Sequence, residues 1–504
     1  MGFTLVTMSI RFIFSFGLFL MMSWNSVYAQ TILHAETVEG KTLAFTVLDG
    51  STCAVGSQSN RQFGGEWGQA IEKETTGVVT IPSVVEGYRV VRIARSAFEE
   101  CSKITKINIP NSITYIGTKA FRGCEALTSC IIPESITEIG ESAFGGCAFD
   151  TLVIPDGVKK IGREAFSGNR NLVKVRMGKG TFDIGRGTFS YCRLLKTIEW
   201  CEEAKFWVGH QAFSHCDSLE EVVLPYTAVS VGDSAFWACS NLKCVNVGPT
   251  VQKIGIRSFA ECKALSEFIV PEENKKFDEV KGYAFEKCTS LKSFEAPETV
   301  NKLGEGAFHG CNNLTQISLS NRLQRIEQNT FAGCEKLSSP KLPESLYYIG
   351  PWAFNGCRLR TIVIPKNVSK IDEWAFSYAG LGTVYLMSGY GLNIGYNAFA
   401  SAEEMTVYSF CTRPYSIDDM AFSFDAYQYG TLYVPNGCQG IYKSTDGWRN
   451  FNYIKSFDTS SVKAVKMADN SADKRWFNLG GHLSSKQPSK SGIYINSGKK
   501  VLLK

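Results

Sequence analysis

Cysteine is the residue type in this chain with the most chemistry to offer. Seventeen are present, beside only five His. In an exported protein many Cys imply disulfides, and Cys with His at the right spacing implies zinc. Here the spacing argues against both. Cys101, Cys124, Cys147, Cys192, Cys216, Cys239, Cys262, Cys288, Cys311, Cys334 and Cys357 each follow a Phe by three residues. One thiol per repeat unit cannot converge tetrahedrally on a metal. A ladder of buried thiols, each a small apolar filler with a weak donor, is the expected arrangement. Asn169 takes the place once, which suggests a polar role, and Ala379 and Ala402 show that the role is dispensable. Cys53, Cys130, Cys201, Cys244, Cys411 and Cys438 fall outside the register. Of these, Cys411 and Cys438 are placed to pair across the C-terminal end or to stay free. His210 and His215 have neither an acidic partner nor a third ligand in their repeats, so no metal site is expected. No phosphate-binding Gly loop, Ser/His/Asp set or paired-carboxylate pocket appears, so neither an enzyme nor a cofactor is expected.

The unit that positions these residues is clearest at residues 101–124, CSKITKINIPNSITYIGTKAFRGC. Apolar side chains fall at Ile104, Ile107, Ile109, Ile113 and Ile116, and Ala120-Phe121 precedes Cys124. The marker Phe recurs fifteen times, from Phe98 to Phe422, at steps of 22 to 24 residues and one of 26 between Phe259 and Phe285. A fixed period in the twenties means a stacked solenoid. One such coil cannot bury its own apolar layer, whereas a neighbour above and below can cover it. Ile107-x-Ile109 alternates and is β-branched, so it is the expected strand, with Pro110 at its end. Gly117 suits a tight turn on the far side. Fifteen coils at the strand spacing of about 4.8 Å would make a rod of about 70 Å.

The run C-x-x-L-x-x-I-x-I-P followed by I-G-x-x-A-F resembles the BspA-like, or treponemal-type, leucine-rich repeats of Bacteroidetes and other bacterial surface proteins. Cys216, Leu219, Val222, Leu224 and Pro225 carry it, as do Cys311, Leu314, Ile317 and Leu319. The likeness covers residues 78–440. It departs from the commoner leucine-rich consensus, in which Asn or Cys follows the strand; here Cys precedes it. The resemblance implies a β-rich leucine-rich repeat solenoid that adheres to host matrix proteins or to other bacteria.

The chain in order then divides as follows. Residues 1–29 read as a signal peptide with cleavage between Ala29 and Gln30, on an apolar run too short to span a bilayer comfortably. Residues 30–77 are an N-terminal β cap, with a hairpin at Thr42–Val47 and Thr52–Val55 and with Trp67 covering the first layer. Residues 78–440 are the solenoid, with Glu272–Lys276 as a solvated bulge. Residues 441–458 form the closing cap, 459–471 a linker and 472–504 a small basic β tail. The tail resembles the short C-terminal segments that sort or attach exported Bacteroidetes proteins. The net charge of +5 divides into +7 over residues 459–504, +1 over residues 1–29 and therefore −3 over residues 30–458. Such a body offers no nucleic-acid surface, and no later segment is apolar enough to cross a membrane. An exported, secreted or surface location is expected.

Two sets of residues then stand out as a ligand surface. Asn108, Arg176, Glu199, Asn246, Glu295, Ser318 and Lys341 occupy the outward strand position of successive coils, with chemistry that varies as a non-repetitive protein partner would require. Tyr347, Tyr348, Trp352, Trp374 and Tyr385 belong to the stretch from Tyr347 to Tyr442, which holds twelve of the twenty Tyr. Trp352 and Trp374 share one phase and are expected to stack. These aromatics suit a protein partner or a glycan. A purely structural spacer at the cell surface is the remaining alternative.

Overall fold

The computed structural model describes residues 31–57, 68–180, 183–203, 206–401 and 404–459, together with the backbone of four strands between 476 and 503. The signal segment, its Ala29–Gln30 junction, Trp67 and most of the linker lie outside the described residues.

Most coils contribute two short strands rather than one. The leading strand carries the expected alternation: in Ile104–Asn108, Ile104 and Ile107 are buried and Thr105 and Lys106 exposed. Seven residues on, Tyr115–Ile116 forms a trailing strand, where only a turn was expected. Trailing strands pair in parallel from coil to coil and extend a 14-stranded sheet from the N-terminal hairpin to Lys302–Leu303. A second trailing sheet runs from Arg325–Ile326 to Asn393–Ile394. The chain winds about sixteen turns of about 23 residues, with almost no helix.

Leading strands form shorter sheets, and three breaks fall at steps other than 23 residues, although Thr361 and Thr383 pair across 22. Partners 23 residues apart pair in register, as Val153, Arg176 and Glu199 do. Pairing stops between Ile131 and Val153, between Glu199 and Val223, and between Ile269 and Glu295, where the spacing is 22, 24 and 26. A fourth break falls at Pro340. This residue sits at the inward strand position and has no N–H to give the ladder.

Between the strands the fifteen Phe rings form one continuous stack, from Phe98–Phe121 at 5.0 Å to Phe399–Phe422 at 5.0 Å, with Phe259–Phe285 widest at 5.9 Å. Offset aromatic stacking adds to the burial of each ring. Backbone bonds run beside them, such as Phe121 N to Ala143 O at 2.7 Å.

The repeated Gly serves close packing rather than a left-handed turn. A Cβ on Gly140 would lie 2.5 Å from Thr118 N and 2.7 Å from Gly117 C. The left-handed backbone sits two residues later, at Lys119 (φ 56°) and Ser142 (φ 50°).

The ends are covered. The hairpin Thr42–Val47 and Thr52–Val55 is antiparallel, and Thr52–Val55 then pairs in parallel with Tyr88–Ile93. At the other end Thr431–Pro435 pairs with Tyr453–Phe457, the last strand of the parallel sheet. The short helix Gln439–Lys443 places Tyr442, fully buried, against Trp448. The Tyr442 hydroxyl donates to Cys411 O at 2.9 Å and lies 2.6 Å from Ser409 Oγ. The insertion after Pro271 is more than a solvated bulge. Asn274 is buried at its centre, and its amide donates to Gly248 O and Val251 O, both at 2.9 Å. Near the C-terminus, Trp476–Asn478, Leu483–Ser484, Gly492–Asn496 and Lys499–Leu503 form a four-stranded antiparallel sheet. Among the described residues no helix is long and apolar enough to cross a membrane.

Candidate functional site

The cysteine ladder is a structural device. Each ladder thiol after Cys101 donates to a Phe carbonyl of the preceding coil: Cys124 Sγ to Phe98 O at 3.1 Å, Cys239 to Phe213 O at 3.1 Å and Cys334 to Phe308 O at 3.3 Å. Asn169 donates to Phe144 O and Phe166 O, both at 2.8 Å, which explains the polar replacement. Burial pushes the thiol of Cys101 up to about 11 and those of Cys192 and Cys311 to about 12. All seventeen cysteines are free, so Cys411 and Cys438 do not pair; the Cys438 thiol turns instead to Thr412 O at 3.9 Å. His210 does find an acidic neighbour from the next coil, since its Nδ1 lies 3.3 Å from Asp233 Oδ2.

The residues expected to form one ligand surface fall on three different sides of the coil. Arg176, Glu199, Asn246, Glu295 and Tyr385 lie on leading strands, and Lys341 takes the same position in the unpaired segment after Pro340. Tyr347 and Tyr348 lie at the trailing strand Tyr348–Ile349. Trp352 and Trp374 lie on the turn that follows, both with left-handed backbones (φ 52° and 59°). They do not stack on each other. Trp374 meets Tyr396 edge-on at 5.6 Å.

The trailing-strand tyrosines are held by their own neighbours. The Arg325 guanidinium lies 3.9 Å over the Tyr348 ring and donates to both Glu327 oxygens, at 2.7 and 3.3 Å. The Tyr348 hydroxyl donates to Asp372 Oδ2 at 2.9 Å, and Lys370 reaches the same oxygen at 3.0 Å. Burial, reinforced by the Asp372 bond, raises the Tyr348 phenol to about 12.

The leading face is different. Arg176, Glu295, Ser318 and Lys341 have no side-chain bond among the described residues. Asn108 donates to Thr80 Oγ1 at 2.8 Å, Glu199 pairs with Lys174 at 2.6 Å, and Asn246 accepts the Gly248 N–H at 3.1 Å. The same outward column also holds large apolar side chains. Ile131 is 78% exposed, Val153 49%, Val223 51% and Ile269 41%. Their signal was present in the sequence, since each directly precedes an apolar-Pro pair, where strand alternation turns the side chain outward.

Toward the C-terminus the column becomes aromatic. Tyr385, Tyr408 and Tyr433 stack at 4.9 and 4.8 Å, in register with Thr383, Thr406 and Thr431 two positions earlier. The recurring Thr-apolar-Tyr triplet is the sequence signal for this stack.

Comparison with known proteins follows this geometry. The pattern described as BspA type leucine-rich repeat region, in six copies, matches residues 91–207, 183–314, 274–383 and 334–450. A leucine-rich repeat protein from Bacteroides ovatus has a solved structure that is similar at a TM-score of 0.63 and 23% identity, covering 85% of this chain and 99% of that one. A leucine-rich cell surface protein from Faecalibacterium prausnitzii aligns at 25% identity and a TM-score of 0.42, over 71% of this chain and 94% of its own. The pneumococcal vaccine antigen PcpA aligns at 20% identity and a TM-score of 0.45, over 85% and 99%. No curated protein matches the chain.

Proposed function

The chain belongs to the BspA-type leucine-rich repeat family, and from that membership we propose that it is a non-catalytic, exported recognition protein that binds a host matrix or bacterial surface protein through its leading-strand face. The observation that carries this reading is the outward column on that face. Ile131, Val153, Val223 and Ile269 expose apolar surface among Arg176, Glu199, Asn246 and Glu295. Apolar side chains left in water and interspersed with charge are the composition of a protein-binding patch. The order never repeats along the stack, so the face distinguishes one partner from another and fixes its register. Four of the polar members keep their side-chain bonding capacity unspent. The cell-surface description of the Faecalibacterium protein fits an exported location for this one.

The C-terminal aromatics fit a glycan less well. Sugars stack on ring faces, and Tyr385, Tyr408 and Tyr433 turn their faces to one another. The test is a binding screen of the purified protein against immobilised matrix proteins and a glycan array. Saturable binding to a matrix protein that persists at high salt supports the reading. A folded sample that binds no protein on the panel counts against it and leaves the spacer role.

A further inference from the structure

The turn side of the stack carries an open notch of about 750 Å³ that the protein-binding reading does not use. It lies beside a shortened loop. Regular coils place two residues between the ladder Cys and the next core side chain, as Arg193 and Leu194 between Cys192 and Leu195. The coil of Cys147 has only Ala148 before the buried Phe149. Its loop is one residue short, and the coils on either side overhang the gap. Glu125 lines the gap from the coil before it, and Arg170, Asn171 and Arg193 from the coils after it.

Tyr191 closes one end of the notch. Its ring is 45% exposed and stacks on His215 at 4.6 Å, and Trp237 buttresses His215 edge-on at 4.7 Å. The same position is Gly168 and Gly146 in the two preceding coils, each with φ +71°. No side chain from those positions covers the second face of the Tyr191 ring, which looks across the notch. Among the described residues the side chains of Arg170 and Asn171 have no partner. Arg193 has only a long approach to Asp217, 3.8 Å.

Two guanidinium forks beside an open aromatic face, in a cavity of small-molecule size, describe a ligand with both an anionic group and a flat apolar ring face. Glu125 on the opposite wall disfavours a polyanion and favours one carboxylate with hydroxyls to donate. We propose that the notch binds a carboxylate-bearing sugar, the acidic residue of a glycan, with Arg170 and Arg193 on the carboxylate and Tyr191 against the ring.

The test is titration of the purified protein with 3′-sialyllactose and a hyaluronan tetrasaccharide. Lactose serves as the neutral sugar and sodium sulfate as the bare anion, and binding is followed by calorimetry and saturation-transfer NMR. Saturable binding of at least one acidic sugar is expected, with lactose silent. Arg170→Gln, Arg193→Gln and Tyr191→Gly should each weaken it roughly tenfold or more. Glycine keeps the left-handed backbone at 191 (φ 61°), so that variant retains the fold, which a melting curve checks. The proposal is overturned if neither acidic sugar binds, if lactose or sulfate binds as tightly, or if the Arg170→Gln and Tyr191→Gly variants bind unchanged. Binding to matrix proteins is read separately and survives these substitutions.

Discussion

At the scale of single residues, the buried thiol is both packing atom and hydrogen-bond donor. A carbonyl such as Phe308 O, deep between two coils, already accepts the Cys311 N–H at 3.1 Å, and Cys334 fills its second lone pair with a side chain that fits the layer. The raised thiol values have a consequence in solution. The folded form holds its protons more tightly than the unfolded form, whose thiols titrate near 9. The stability they contribute is therefore complete below about pH 9 and is lost as pH climbs toward 12. Alkylation follows the same logic, since only thiolate reacts. With iodoacetamide at pH 8, the native protein should label at the half-buried Cys201, Cys244 and Cys438, and at the ladder cysteines only after guanidinium unfolding. Mass spectrometry counts the adducts; ladder labelling in the native state would contradict the burial. The ladder's existence was legible in sequence because its period is the fold's own. The missing Cys411–Cys438 bond was not, because spacing places residues in the same region without setting how their side chains point.

At the scale of the element, the coil is governed by how closely its neighbours approach. A methyl at position 140 would collide with the backbone of the coil before it, so Gly140→Ala should destabilise by about 1–3 kcal/mol. Gly389, with nothing within 4 Å of its would-be Cβ, is the matched control, and Gly389→Ala should leave the melting midpoint nearly unchanged. Chemical denaturation of the two variants separates close packing from general loss of glycine. Pro340 gives a second prediction at this scale. Met177 N donates to Glu199 O at 2.8 Å and Val247 N to Ile269 O at 3.1 Å, but Leu319 N has no such bond to the coil of Pro340. Native-state hydrogen exchange should find the Leu319 amide roughly tenfold less protected than those of Met177 and Val247; equal protection would mean that the ladder is continuous there. The strand pairs of the regular coils were readable from Ile-x-Ile and a 23-residue step. The trailing strand was not, because Tyr115–Ile116 is two residues long and shows no alternation to detect. Nor could phase alone reveal that Trp374 meets Tyr396 edge-on instead of stacking on Trp352.

At the scale of the whole molecule, stacking makes stability a sum of coil and interface terms, and it leaves the outward columns free to vary. That separation is why the fold was plain in the sequence while the surface was only half seen. Core positions repeat and announce themselves, whereas Ile131 or Val223 stands out only once its exposure is known. The mildly acidic body and the basic segment after residue 458 also divide the chain into parts of opposite charge. The proposed recognition lies on the body, on the face where apolar and charged side chains are interspersed. The most direct measurement is a titration of the matrix protein that binds best with the wild type and with an Ile131→Lys/Val223→Lys/Ile269→Lys variant, by surface plasmon resonance. If the leading face is the recognition surface, the variant folds with an unchanged melting curve and binds at least roughly tenfold more weakly. Equal affinity of the folded variant would contradict the assignment and move recognition to another face of the coil.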